Sequence, residues 1–92
     1  MATFFMFGKY TAEGIKGMSA ARTVKANNLI KENGGKVLYQ YAILGKNDLI
    51  FAIDFPGVDE VIKTSVALYK LTGISFSSVP AISLEQFDRL TT

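Results

Sequence analysis

The chain has 92 residues, a formal net charge of only +2, and 49% hydrophobic residues. It contains neither cysteine nor histidine, which removes disulfides, Cys/His zinc sites, haem ligation through those residues, and Ser–His or cysteine nucleophiles. Its basic residues are dispersed among acids rather than gathered into a stripe, so nucleic acid is not an expected partner, and no run approaches the roughly 20 apolar residues of a membrane span.

At this length one domain over residues 1–92 is expected. The mean hydropathy of +0.25 is high for so small a core, and burial against a second copy is the simplest outlet. The N-terminal MATFFMFGK has no basic segment of the kind that opens a signal peptide, so the default expectation is a soluble cytoplasmic protein.

Taken in order, Thr3–Tyr10 (TFFMFGKY) is aromatic and short and reads as a first strand. Its consecutive Phe4, Phe5, Met6 and Phe7 give both strand faces apolar side chains, the pattern of a strand covered on both sides. Thr11 is a plausible N-cap for a helical turn, but Gly14 and Gly17 weaken it, and a better helix starts near Ser19. That helix stops at Gly34-Gly35. Lys36–Leu44 and Asn47–Phe55 read as two strands of a hairpin, ended by Pro56-Gly57. Val58, Ile62, Val66 and Tyr69 follow at helical spacing, predicting a helix over Val58–Thr72 closed by Gly73. Ile74–Ile82 is a last strand, which Pro80 marks as an edge or a strand end. Ser83-Leu84-Glu85-Gln86 has capping-box spacing and opens a tail helix through Leu90.

The order βαββαβ predicts an α+β, ferredoxin-like sandwich, an antiparallel sheet with both main helices on one face. Its other face is left bare. With Gly45-Lys46 as a two-residue type II′ turn, Leu44 pairs with Asn47. One face then carries Leu38, Gln40, Ala42, Leu44, Asn47, Leu49, Phe51, Ile53 and Phe55, and suits the helices. The other carries Val37, Tyr39, Tyr41, Ile43, Asp48, Ile50, Ala52 and Asp54, and suits an interface or a ligand surface. A three-residue loop, Gly45-Lys46-Asn47, is the rival and would swap one strand's face.

The residues so assembled resemble the GYD family of small proteins. The likeness rests on the aromatic first strand running into Lys9-Tyr10-Thr11 and Gly14, the Gly34-Gly35 stop, the Gly-x-Tyr-Asp turn, Pro56 and Gly73. Gly45 and Asp48 match that turn, while Asn47 stands where the family usually has tyrosine. The resemblance implies a dimeric α+β barrel in which two such sheets pack face to face, a homodimer or a higher oligomer built on it. A similar turn lies near a small-molecule site at a subunit interface in the effector-binding domains of leucine-responsive bacterial regulators. The wider superfamily also holds cofactor-free monooxygenases and haem-degrading enzymes, the latter disfavoured here by the lack of histidine.

The candidate ligand-binding residues are Lys9, Tyr39, Tyr41, Asn47 and Asp48. Asp48, beside a turn, could accept hydrogen bonds from a ligand amine, or satisfy nearby backbone N–H groups. Tyr39 and Tyr41 project together, for interface packing, ligand stacking or phenolic acid–base work. Lys9 ends the first strand in an aromatic setting, and Arg22 either clamps an anion or lies on a solvated helix face. Asp48 and Asp54 share a face but lie about 20 Å apart at a strand rise of about 3.3 Å per residue, too far for a glycosidase pair, which needs about 5–10 Å. No phosphate loop, metal set or cofactor site is apparent. Three functions stay open: a dimeric small-molecule-binding or interaction module, a cofactor-independent oxygenase or isomerase acting on a small apolar substrate, and a structural dimer without a ligand.

Overall fold

The computed structural model describes all residues, Met1–Thr92. The aromatic strand β1 (Ala2–Tyr10) lies inside the sheet, with β3 (Leu49–Phe55) antiparallel on one side and β4 (Ile74–Ala81) antiparallel on the other. Strand β2 (Lys36–Ala42) pairs with β3 and completes the order β2-β3-β1-β4. This is the ferredoxin-like arrangement, and it places Pro80 on an edge strand, where its missing N–H costs no ladder bond.

A short helix α1 (Ala12–Lys16) and the longer α2 (Ala20–Glu32) connect β1 to β2. The break between them falls at Gly17-Met18-Ser19, and Ser19 caps α2 by accepting from the Arg22 N–H at 3.0 Å. Helix α3 (Val58–Thr72) joins β3 to β4. Asp59 and Glu60 occupy its first turn and Lys70 its last, each sign matching the helix dipole. Gly73 ends it in the left-handed region, at φ 72°.

Helices α2 and α3 cover one sheet face. Ile30 from α2 and Val61 and Leu68 from α3 close over Phe4, Met6, Phe51, Ile53 and Phe55, with the rings of Phe4 and Phe55 edge to face at 6.3 Å. The opposite face has no helix over it. Two rows cross it, Tyr39–Ala52–Phe5–Val79 and Tyr41–Ile50–Phe7–Ser77, as the strand pairings align them. Phe5 and Phe7 are half-buried there, whereas Phe4 and Met6 on the helix side are buried.

Two details of the hairpin differ from expectation. The pairs Ala42↔Leu49 and Tyr41↔Ile50 follow the alignment given by a Gly45-Lys46 turn, but between Val37 and Tyr39 the register shifts by one residue. Leu38 is the extra residue of this bulge. Val37 therefore turns onto the helix face, where it packs against the core, and Leu38 leaves it. A bulge swaps faces beyond itself because side chains alternate with a period of two. The second difference is the turn. No two-residue turn forms and Leu44 does not pair with Asn47. The last link is Ile43 N–H to the Asp48 carbonyl at 2.8 Å, and Leu44 is fully exposed. The competing bonds come from β1, since the Asp48 N–H donates to the Gly8 carbonyl at 2.8 Å. Gly45, at φ 147°, lies in a wider loop than a type II′ turn.

The tail helix α4 (Leu84–Thr91) is capped by Ser83, whose hydroxyl accepts from Gln86 N–H at 3.1 Å. None of its residues is buried, and Leu84, Phe87 and Leu90 are exposed along one edge. The radius of gyration, 13.8 Å, exceeds the roughly 12 Å of a compact chain this long, in keeping with a projecting tail.

Gly73 generates a test of this framework. A Cβ at this position would approach the Gly14 nitrogen to 3.0 Å, and the left-handed backbone itself disfavours a side chain. Gly73→Ala is expected to lower unfolding free energy by about 1–3 kcal/mol, read from urea denaturation midpoints; an unchanged midpoint would show that α3 can end another way.

Candidate functional site

Where α1 breaks and α2 begins, the sheet end near the β2–β3 loop is covered incompletely. A cavity of about 170 Å³ opens between α2 and the sheet, walled by Met18, Ala26, Leu49, Phe51, Leu68, Ile74 and Phe76. Phe51 and Phe76 form its aromatic side, with ring centroids 5.2 Å apart. Its polar lining comes from Tyr10, Ser19, Arg22, Thr23, Asn27, Gln40 and Thr72.

Arg22 owes its place to the Ser19 cap, which sets it in the first turn of α2. Its Nη1 donates to the Gly14 carbonyl at 2.5 Å and the Thr72 carbonyl at 3.2 Å. It thereby closes the end of α3 with a positive charge, the favourable sign at a helix C-terminus. Thr11 braces the same corner: its hydroxyl donates to the Gly73 carbonyl at 2.5 Å and accepts from the Gly14 N–H at 3.0 Å. Across the cavity, Gln40 Nε2 donates to Asn27 Oδ1 at 2.7 Å, tying β2 to α2. One bond leaves this amide pair with a spare donor and a spare acceptor, whichever way each amide is turned.

The five residues singled out from the sequence lie elsewhere. Tyr39 and Tyr41 stack on the bare face, with ring centroids 6.3 Å apart and planes 17° from parallel, and both are exposed. Asp48 accepts from the Tyr10 N–H through Oδ2 at 2.9 Å, so its carboxylate secures the β1 end to the loop. Lys9 Nζ donates to the Lys46 carbonyl at 3.0 Å, and Asn47, between Lys46 and Asp48 in sequence, is half-buried. The fold thus gathers Lys9, Lys46 and Asp48 at the loop and sets the tyrosine pair beside them. None of the five lines the cavity.

Sequence reasoning assigns no functional role to Tyr10, Thr23, Asn27 or Gln40, and two alternatives to Arg22. One signal for the cavity was present. Gln40 is a lone amide on an otherwise aliphatic stretch of the helix-facing side, which calls for a partner under the helix.

No three His, Cys, Asp or Glu side chains are grouped as metal ligands would be, and no helix is long and apolar enough to cross a membrane. The sheet order and the two helices on one face define a ferredoxin-like α+β protein. The GYD domain profile matches residues 4–91, and the chain belongs to the GYD domain family. Among solved structures, the leucine response regulatory protein (LrpA) of Mycobacterium tuberculosis is similar in fold, with a TM-score of 0.58 at 7% identity. The match covers 89% of this chain and 51% of that one, so this chain corresponds to about half of the regulator. No curated protein matches it in sequence.

The Asp48 contacts predict a structural effect. Asp48→Ala is expected to lower stability by about 1–3 kcal/mol, the usual cost of leaving a charge-assisted backbone bond unmade, with Asp48→Asn retaining part of it. Thermal denaturation of both variants checks this ranking; equal stability of all three proteins would contradict it.

Proposed function

We propose that the protein is a homodimeric module that holds a small organic molecule. The cavity beneath α2 carries the binding part of this reading: it combines an apolar wall with a few convergent polar groups, the usual make-up of a ligand site. The fold relation to a regulatory protein fits a role in sensing, though it contributes only a shape.

The dimer is supported by the bare face. Phe5, Phe7, Ile50, Tyr39 and Tyr41 make a contiguous apolar and aromatic surface on a chain of 10.0 kDa. Surfaces of this kind mark association sites, and packing two sheets face to face would bury both. In that arrangement Tyr39 and Tyr41 form an aromatic platform, and Lys9, Asn47 and Asp48 its polar rim. A molecule held between two such faces would meet these five residues; one held beneath α2 would meet none of them.

Sedimentation equilibrium at micromolar concentration is expected to give about twice the monomer mass of 10.0 kDa. Phe7→Lys, which places a charge at the centre of the face, is expected to weaken association by about 100-fold or more. A stable wild-type monomer would defeat the dimer. For binding, a thermal-shift screen of small organic molecules is expected to find a stabiliser worth about 2–3 kcal/mol at a hundred times its dissociation constant. The absence of any stabiliser at millimolar levels would defeat the module as a binder.

A further inference from the structure

We infer that the cavity beneath α2 takes a small monocarboxylic acid with an apolar body and no ammonium group, its carboxylate held by Arg22. This rests on the small-molecule reading above and assigns that site a ligand class. Arg22 is half-buried, lines the cavity and bears a charge that no carboxylate of the chain balances. The only ion pair in the protein joins Arg89 to Glu85 at 2.8 Å, on the tail helix. The two carbonyls on Nη1 leave the other guanidinium donors free for the planar, two-point grip that suits a carboxylate.

The rest of the lining sets the body of the ligand. Phe51, Phe76 and Leu49 offer an apolar wall, with the Asn27–Gln40 amides at one side. The volume of about 170 Å³ is close to that of an apolar cavity of about 150 Å³ that admits benzene, so the body is of benzene or isobutyl size. No aspartate or glutamate lines the cavity. An ammonium group would therefore enter beside a guanidinium without a countercharge, which burial penalises heavily. The site should accordingly prefer isocaproate to leucine, which differ by that one group.

Calorimetric titration of the full chain with benzoate, isocaproate, benzamide and leucine tests this. One or both acids are expected to bind, with benzamide and leucine weaker by at least about tenfold, in line with a lost charge-assisted bond or an unpaired buried charge. Ala26→Leu, which fills the cavity from α2, is expected to abolish acid binding while circular dichroism stays unchanged. Arg22→Gln should weaken it by at least about tenfold; because Arg22 also holds Gly14 and Thr72, the amide comparison and the filled cavity decide the matter should that variant unfold. Benzamide or leucine binding as well as the acids would overturn the ligand class and leave the small-molecule reading standing. Acid binding that survives Ala26→Leu would overturn the location, again sparing that reading. Silence from all four compounds would overturn the inference alone if the broader screen yields a stabiliser, and both proposals if it does not.

Discussion

Four consecutive apolar side chains on an interior strand set the terms for this molecule. Phe4, Phe5, Met6 and Phe7 point alternately to opposite faces of β1, so no single layer of helices can cover them all. Removing a large side chain of this sort from water stabilises by about 1.5–3 kcal/mol, and the helix layer collects that gain for Phe4 and Met6, which are 4% and 0% exposed. Phe5 and Phe7 collect only part of it within one chain. The sheet is therefore finished on one side and unfinished on the other, and the unfinished side is where Tyr39, Tyr41 and Ile50 also emerge.

The two ends of the helix-covered side are held by different forces. Away from the β2–β3 loop, Ile30, Val61 and Phe55 close the core by packing. Towards the loop, Thr11, Arg22 and Thr72 take over with hydrogen bonds that join α1, α2, α3 and β4. Hydrogen bonds fix positions without filling space. The cavity lies at this polar end, framed by groups that the fold already holds in place; a molecule bound there as proposed would meet a low ordering cost.

Much of this architecture was legible in the sequence because the signals were local. The aromatic run gave β1, the spacing of Val58, Ile62, Val66 and Tyr69 gave α3, and Ser19, Ser83 and Gly73 marked helix ends where the structure has them. The bulge at Leu38 was not legible. KVLYQYA contains no glycine or proline to mark it, and it is the burial of Val37 against the core that places it. The loop also escaped, since Asp48 is bonded to β1, a strand about 40 residues earlier in the chain, as the separation of 38 between Tyr10 and Asp48 records. The cavity was the least accessible feature of all. Tyr10 on β1, Arg22 and Asn27 on α2, and Gln40 on β2 meet only through the fold; helical spacing places Ser19, Arg22, Thr23, Ala26 and Asn27 on one face of α2, but it does not say what that face meets.

The tail helix has a thermodynamic consequence of its own. Eight residues is below the roughly 12–15 at which an isolated helix holds together in water, and Leu84, Phe87 and Leu90 stay 79%, 50% and 70% exposed. The Ser83 cap and the Arg89–Glu85 pair contribute a fraction of what is missing. The order of α4 is thus borrowed from its surroundings. With few buried contacts, its backbone amides are expected to be among the first in the protein to exchange hydrogen.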